Sequence, residues 1–577
     1  MRTAVRSKRW IVSTPDRTAA ERLARALSIS PLTGALLVNR GIAEVEAARQ
    51  FLRPDLDTML DPLLFRDMRA AVQRLLAAVR SGEPIGIFGD YDVDGTSGTA
   101  ILHRFFDVVG KPVSYRIPHR VNDGYGLNER AVREFSREGV KVLITIDCGT
   151  ADVEELRLAR ELGMDSIVVD HHEPPPELPP TLALLNPKVQ GCGYPFTGIC
   201  STGISFKLAW ALSSELPSAV RKSAAFQDFL LDAMACAALG TIADVSPLVG
   251  ENRVFVSYGL EALRNARSPG LRALLAKANV ADKNLDTLDV AFKLAPRLNA
   301  LGRVGTAQDC VDLLVTRSPE RVAEIVATLE SANRQRRGIE GDIFEQALER
   351  LEKDRLMEDP VLVLADPRWH LGVVGIVAAR LVDRFCRPAI VLAVEEDVAK
   401  GSCRSIEGYA LHEALAECSD LLLSHGGHAM AAGCSLRTEN LVRFRERLNA
   451  GASRRSISRD YEPKLQIDDE VPLSMLTPSV VREVGRLAPH GAGNPEPVLA
   501  ARDVRIAGEP RLMGKKGDHV AFFVRQGETT IRAVGFGMGE IFEKLLKAEK
   551  CSLAFRPQIN EWRGTTSVEL KLEDLKI

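Results

Sequence analysis

Between residues 83 and 190, five short β-type runs alternate with helical runs, and this alternation constrains the fold more than any other feature of the chain. The runs are IGIFGD (85–90), VSYRIP (113–118), VLITID (142–147), SIVVD (166–170) and LALLN (182–186), with helical patterns such as TSGTAILHRFFDVV and NERAVREFSREG between them. Strand–helix–strand alternation at this spacing predicts a parallel sheet in an α/β domain. The carboxyl ends of parallel strands face one crevice, the usual ligand site of such sheets. Three of these ends carry aspartate: Asp90, Asp147 and Asp170. Asp92 and Asp94 follow the first in FGDYDVDGTSG, and His171 and His172 follow the third. Asp244, in LGTIADVSPL after an apolar helical run, is a further candidate.

Taken singly, each motif has an ordinary explanation. A D-x-D after a strand caps a helix or turn, and HHEPPPELPP reads as a surface loop. Their joint placement at strand ends is what points to chemistry. Several carboxylates in one crevice repel each other unless they are protonated or neutralised by cations. Carboxylates with imidazole suit Mn²⁺ or Mg²⁺, and the donors suffice for two ions. Two such ions support in-line phosphoryl displacement. A zinc–thiolate site is disfavoured, because the ten cysteines include no C-x-x-C pair. The cysteines read as reduced thiols of a cytoplasmic protein.

Hydrophobic residues make up 45% and charged residues 26% of the 577, which excludes a disordered or collagen-like chain. Lys+Arg number 75 against 77 Asp+Glu, so net charge gives no support for a nucleic-acid partner and leaves only a local basic channel open. The N-terminal MRTAVRSKRWIVSTPD lacks the apolar stretch of a secretory signal. The longest apolar run, near Leu230–Ile242, is interrupted by Asp232, so no membrane span is expected.

The rest of the chain divides by pattern. Residues 1–64 read as a helical segment, including IAEVEAARQFL, ahead of the α/β domain over 65–250. A helical connector over 251–355 follows. It ends in a proline-free stretch between Pro319 and Pro360 that is weakened at Gly338 and Gly341. A second α/β pattern spans 356–455: PVLVLAD, a helix from about Gly372, PAIVLAV, another helix and a glycine-rich segment. Over 456–577 the runs KLQID, VLAARDVRI, HVAFFVRQ, TTIRAVGF, CSLAFRPQI and TSVELKLEDL, with SVVREVGRL before and EIFEKLLKA within, suit a small β-barrel of the OB type. Such barrels bind single strands by stacking and a basic groove. Phe522, Phe523, Phe536, Phe555 and Trp562, with Lys515 and Lys516, are candidates, each equally at home in the core.

The segments DYDVDG, IDCG and VDHH, in that order, resemble the DHH phosphoesterase superfamily, named for the triplet Asp170-His171-His172. GYGLNE (124–129), LGTIADVSPL (239–248) and APRLNALGR (295–303) narrow the likeness to its single-stranded-DNA exonucleases, while GSCRS (401–405) and GGHAMAAG (426–433) resemble the second lobe, the DHHA1 domain. The resemblance implies 5′-to-3′ degradation of single-stranded DNA to 5′-mononucleotides with Mn²⁺ or Mg²⁺, in recombination and repair. It implies Asp90, Asp92, Asp94, Asp147, His171 and Asp244 as metal ligands. It also implies His172 as the catalytic acid or electrophile, with Asp170 orienting its neighbours. Arg120, Arg297, Asn299, Arg303, Ser402, Arg404, Ser405 and His428 become substrate-binding candidates, each arginine having local carboxylates as the alternative partner. Phe88 stands where many relatives carry histidine. Single-stranded DNA, a single-strand-binding protein and a RecQ-type helicase are the implied partners. A phosphoesterase acting on short oligonucleotides or small nucleotides is the alternative, which the C-terminal barrel opposes.

Overall fold

The structure is a computed structural model that describes residues 8–120, 123–304, 306–454, 462–562 and 564–577; the side chains of Val304 and Trp562 lie outside the described residues. The chain forms two compact units, Met59–Tyr461 and a second made of Met1–Thr58 with Glu462–Ile577.

In the larger unit the first sheet consists of β1 (Ile85–Gly89), β2 (Ser114–Arg116), β3 (Val142–Ile146), β4 (Asp165–Val169) and β5 (Ala183–Leu185). All neighbours are parallel, in the order β2-β1-β3-β4-β5. β1 and β3 are buried along their whole length, as near-continuous apolar runs must be when helices cover both faces. Around the sheet pack α1 (Met68–Ser81), α2 (Val93–Val108), α3 (Ser201–Ser214) and α4 (Ala224–Ala243).

Contrary to expectation, α4 is by length and composition apolar enough to cross a membrane, but 72% of its most apolar window is buried inside the protein. Asp232 does not interrupt it. Its carboxylate accepts Arg104 Nη1 (2.6 Å) and the backbone N–H groups of Arg267 (2.8 Å) and Ser268 (3.2 Å), so a buried charge is fully paired.

The connector includes α5 (Ala295–Val304) and α6 (Pro319–Lys353), a helix of 35 residues, about 52 Å long at 1.5 Å per residue. Ser318 caps it by accepting the N–H of Arg321, and Pro319 opens its first turn. Val322, Ile325, Leu329 and Ala332 join the core of the first sheet, while Ile343, Phe344, Ala347 and Leu351 join that of a second. The second sheet holds β6 (Leu362–Asp366), β7 (Ala389–Glu395), β8 (Val398–Arg404), β9 (Leu422–Gly427) and β10 (Ala431–Arg437), in the order β9-β10-β8-β7-β6. β6 and β7 are parallel and the other pairs antiparallel. α7 (Leu371–Phe385) packs on it.

In the smaller unit β11 (Leu499–Met513), β12 (His519–Gln526), β13 (Thr529–Gly535), β14 (Lys550–Trp562) and β15 (Thr565–Lys576) run in the order β11-β12-β13-β15-β14, and β14 pairs back with β11. The ring is closed, with β13 and β15 parallel and the helix Phe542–Lys547 between β13 and β14. This is the five-stranded OB topology. The N-terminal helices Arg17–Leu27, Pro31–Asn39 and Val45–Leu52 contribute to the barrel's own core, and Arg9–Val12 pairs with Lys464–Ile467.

Candidate active site

The ladder of the first sheet continues one residue beyond its strands. Asp90 N donates to Ile146 O (3.0 Å), Asp147 N to Val169 O (2.9 Å) and Asp170 N to Leu185 O (3.1 Å). Three aspartates therefore stand side by side on neighbouring strands, spaced at about the 4.8 Å strand separation. Two helix N-termini then fix the next two carboxylates. Asp92 caps α2, accepting the N–H groups of Asp94 (2.8 Å) and Gly95 (3.1 Å). Asp94 accepts those of Ser201 (2.8 Å) and Thr202 (2.9 Å) at the start of α3. Gly95 is required here, because a Cβ would lie 2.5 Å from Asp90 O. Asp244 follows the last turn of α4, its Oδ2 accepting from Ser246 Oγ (2.6 Å).

His171 Nε2 lies 3.3 Å from Asp147 Oδ1, 3.8 Å from Asp94 Oδ2 and 3.9 Å from Asp244 Oδ1. It is nonetheless buried without a hydrogen-bond partner, and so is Asp90 Oδ1. Donor atoms from Asp90, Asp92 and Asp147 lie within 4.8 Å of one another, as do those from Asp94, His171 and Asp244, and from Asp147, His171 and His172. Two adjacent donor sets thus meet at Asp147, one all-carboxylate and one with imidazole. Burial is the largest influence on their protonation. It raises Asp90, further raised by Asp92; it raises Asp147, further raised by Asp94, Asp92 and Asp90; and it lifts Asp244 to about 7, with Asp94 adding to it. At Asp94 burial is outweighed by His171 and by hydrogen bonds, leaving it below its usual range. His171 is lowered by burial. Unpartnered buried oxygen and nitrogen atoms among carboxylates that resist ionisation fit divalent cations with mixed N/O ligands. Phe88, buried in the core, contributes no donor.

Asp170 is different. Its carboxylate accepts the N–H groups of His171 (2.7 Å), His172 (3.2 Å) and Thr150 (3.0 Å), and His172 Nδ1 (2.8 Å). Burial would raise it, but these bonds and His172 hold it far below the usual carboxylate range. In return, its hydrogen bond overcomes the effect of burial on His172 and raises that imidazole above its ordinary value.

A second feature adjoins the carboxylates. Arg120 lies over the ring of Tyr91, 4.8 Å from its centroid. Arg303, on α5, donates Nη1 to Gly372 O (2.8 Å), and Arg404, ending β8, donates Nη1 to Cys403 O (2.8 Å). Burial lowers Arg303 to about 10, with repulsion from Arg120, Arg336 and Arg404 adding to it; Arg404 is lowered by burial and by Arg120. Among the described residues none of Arg120, Arg303 and Arg404 has a carboxylate within ion-pair distance. Ser402 approaches the same place, because Gly375 on α7 leaves room: a Cβ there would lie 3.0 Å from Ser402 Oγ and 3.4 Å from Arg404 Nη2. Part-buried guanidinium groups that repel one another and have no carboxylate partner have the chemistry to accept an anion.

Other candidates are placed differently. Arg297 is committed to Glu330 (2.6 Å) and to Lys293 O (2.6 Å), so its local partner prevails. Ser405 is turned inward and donates to Tyr409 O (2.6 Å). Asn299 is half-buried one turn before Arg303, on the same helix face. His428 is exposed at the β9–β10 turn, next to Ala431, which pairs with Arg404. In the barrel Phe522 and Phe555 are core residues, whereas Phe523 and Phe536 are about half exposed and His519 meets the Phe536 ring edge-on. Lys515 and Lys516 are exposed. Sequence reasoning missed Ser201, Thr202 and Thr150, whose signal is their place next to a helix start or strand end.

Clustered aspartate and histidine donors that could hold divalent cations, at the carboxyl end of a parallel sheet followed by a second α/β lobe, are the arrangement of a DHH phosphoesterase. The comparisons agree: the DHH family N-terminal domain matches residues 84–238, the DHHA1 domain 358–453 and the RecJ OB domain 467–574. The chain belongs to the RecJ family of single-stranded-DNA-specific exonucleases. It is 38% identical over 573 residues to single-stranded-DNA-specific exonuclease RecJ of Bacillus subtilis (strain 168), covering 99% of this chain and 71% of that protein. It is 32% identical over 563 residues to the RecJ of Dickeya dadantii (strain 3937), covering 95% and 96%. The crystal structure of RecJ in complex with Mn²⁺ from Thermus thermophilus matches with a TM-score of 0.83 at 31% identity, over 99% of this chain and 79% of that one.

Proposed function

We propose that the protein degrades single-stranded DNA from the 5′ end to 5′-mononucleotides, using two Mn²⁺ or Mg²⁺ ions. The observation that carries this is the gathering of donors into Asp90, Asp92 and Asp147 and, beside them, Asp94, His171 and Asp244, with His171 Nε2 3.3 Å from Asp147 Oδ1 and, like Asp90 Oδ1, buried without a hydrogen-bond partner. Asp90, Asp92 and Asp147 would hold one ion and Asp94, His171 and Asp244 the other. When bound, such a pair supplies a nucleophile at neutral pH and neutralises charge on the phosphate.

The chain's own groups do the rest. His172, its Nδ1–H held by Asp170, keeps Nε2 available to donate a proton or hydrogen bond to the phosphate or leaving oxygen. Arg120, Arg303, Arg404 and Ser402 bind the terminal 5′-phosphate. With Arg120 stacked on Tyr91, between Asp90 and Asp92 in sequence, that anchor sets the bond to be cut relative to the strand end. The exposed Phe523 and Phe536 of the barrel, with Lys515 and Lys516, offer stacking and charge to a longer strand. A single-strand-binding protein and a RecQ-type helicase are the partners this reading extends to, and the cytoplasm its location, consistent with ten unbonded cysteines.

The test is digestion of 5′- and 3′-labelled single strands and of duplex DNA, with Mn²⁺ or with chelator. Release of 5′-label as mononucleotide from single strands alone, abolished by chelation, is expected. Equal attack on duplex, exclusive cleavage of dinucleotides, or activity that survives chelation would overturn it.

A further inference from the structure

Tyr125 sits in the loop GYG, and its residue surface is 51% exposed. Its hydroxyl is not free. It lies 2.9 Å from Asp147 O, and 3.0 Å from Nδ1 and 3.5 Å from Nε2 of His172. The ring meets the His172 ring edge-on, with centroids 5.4 Å apart.

The donor count settles the direction of these bonds. A carbonyl oxygen only accepts, so the single phenolic proton goes to Asp147 O. Toward His172 the phenol oxygen is then an acceptor, and the facing ring nitrogen must carry hydrogen. Asp170, which accepts from Nδ1 at 2.8 Å, demands the same tautomer. Two acceptors thus share one Nδ1–H, and Nε2 is left for the reaction. At the other end, the carbonyl receiving the phenolic proton belongs to Asp147, whose φ of 64° places it in the left-handed region. Non-glycine residues are uncommon there and are held by their surroundings. The loop that presents Tyr125 is itself pinned: Leu127 N donates to Asp152 Oδ2 (2.8 Å), and Asp123 Oδ2 accepts from His119 N (2.8 Å).

We infer that Tyr125 is a positioning residue: its hydroxyl clamps the Asp147 peptide to the His172 ring, locking the metal-binding strand end and the catalytic imidazole into one geometry. The inference rests on the nuclease reading and adds to it a residue that acts without touching the scissile phosphate.

The test is Tyr125→Phe in the full chain, alone and combined with His172→Ala, assayed on a 5′-phosphorylated single strand with Mn²⁺. Loss of an outer-shell hydrogen bond of this kind costs about 10–100-fold. A kcat at least about tenfold lower is therefore expected, with KM and melting temperature unchanged and with the loss shrinking to under about twofold in the His172→Ala background. Unchanged kcat, a loss confined to KM, equal losses in both backgrounds, or a melting temperature several degrees lower would each overturn the inference. Failure of the nuclease reading would show instead in the native protein, as no Mn²⁺-dependent digestion at all.

Discussion

Asp147 concentrates the constraints of the site. It ends the central strand of the sheet, adopts a left-handed backbone and faces Asp90, Asp92, Asp94 and His171. Because burial and the four carboxylates of Asp94, Asp92, Asp90 and Asp170 raise its protonation midpoint, the folded, chelated protein holds the Asp147 proton more tightly than the unfolded chain does. The sign follows: stability falls as pH rises above the ordinary carboxylate range, until a cation replaces the proton. Asparagine tolerates the left-handed conformation and carries no charge. Asp147→Asn should therefore melt no lower than the native protein in chelator at pH 8 and lose the stabilisation that Mn²⁺ gives. It should lose roughly 100-fold or more in turnover, since even outer-shell changes cost about 10–100-fold. Thermal melts with and without Mn²⁺, beside a nuclease assay, check this, and a native-like response to Mn²⁺ would contradict the ligand role. The convergence of Asp90, Asp147 and Asp170 was legible because parallel strands place their ends by local rules alone. Arg297 and Arg303 were not separable in the same way. They lie on one helix, and what distinguishes them is a partner, Glu330, on another.

Elements were legible where propensity and environment agree. β1, β3 and β4 are short, largely apolar and buried runs, and each was placed to within a residue or so. The helix expected after β7 is present at Leu411–Ala416, but β8, β9 and β10 on either side of it were not read as strands, because VAKGSCR, LLSHGG and AAGCSLR carry small and polar residues of low strand propensity. Antiparallel pairing across the sheet makes them strands, and it places Ser402 and Arg404 in the last residues of its central strand, β8. α6 shows the reverse case, a helix that persists against propensity. Gly338 and Gly341 lie between the half of α6 buried in the first core and the half buried in the second, and a Cβ at either position would meet nothing within 4 Å. No close approach requires these glycines, so each weakens the helix by about 1 kcal/mol relative to alanine. The double change Gly338→Ala, Gly341→Ala should raise the melting temperature by about 2–4 °C. A fall would mean that the helix departs from this geometry in solution.

At the scale of the whole molecule, the order of segments along the chain is not their order in space. Helices Arg17–Leu27, Pro31–Asn39 and Val45–Leu52 share a core with the barrel, including Leu499, Val504 and Phe555. A linear reading separates them, since nothing local marks contacts more than 400 residues apart, and so it suggests the wrong truncation. Removing residues 462–577 alone would strip the apolar faces of Leu23, Leu36, Leu37 and Phe51 of their cover, at about 25 cal/mol per Å² of apolar surface exposed. That fragment should aggregate. The fragment Met59–Tyr461 retains both sheets, α6 and all the carboxylates, and it should stay monodisperse and hydrolyse very short oligonucleotides with Mn²⁺. It should bind a long single strand more weakly by a factor of ten or more, because base stacking on an aromatic ring contributes about 1–3 kcal/mol per base and Phe523 and Phe536 are lost with the barrel. Comparing the two fragments with the full chain on short and long strands separates the effects. Equal losses on both lengths would remove the barrel from strand binding, and a soluble, active 1–461 fragment would show that the N-terminal helices do not need it.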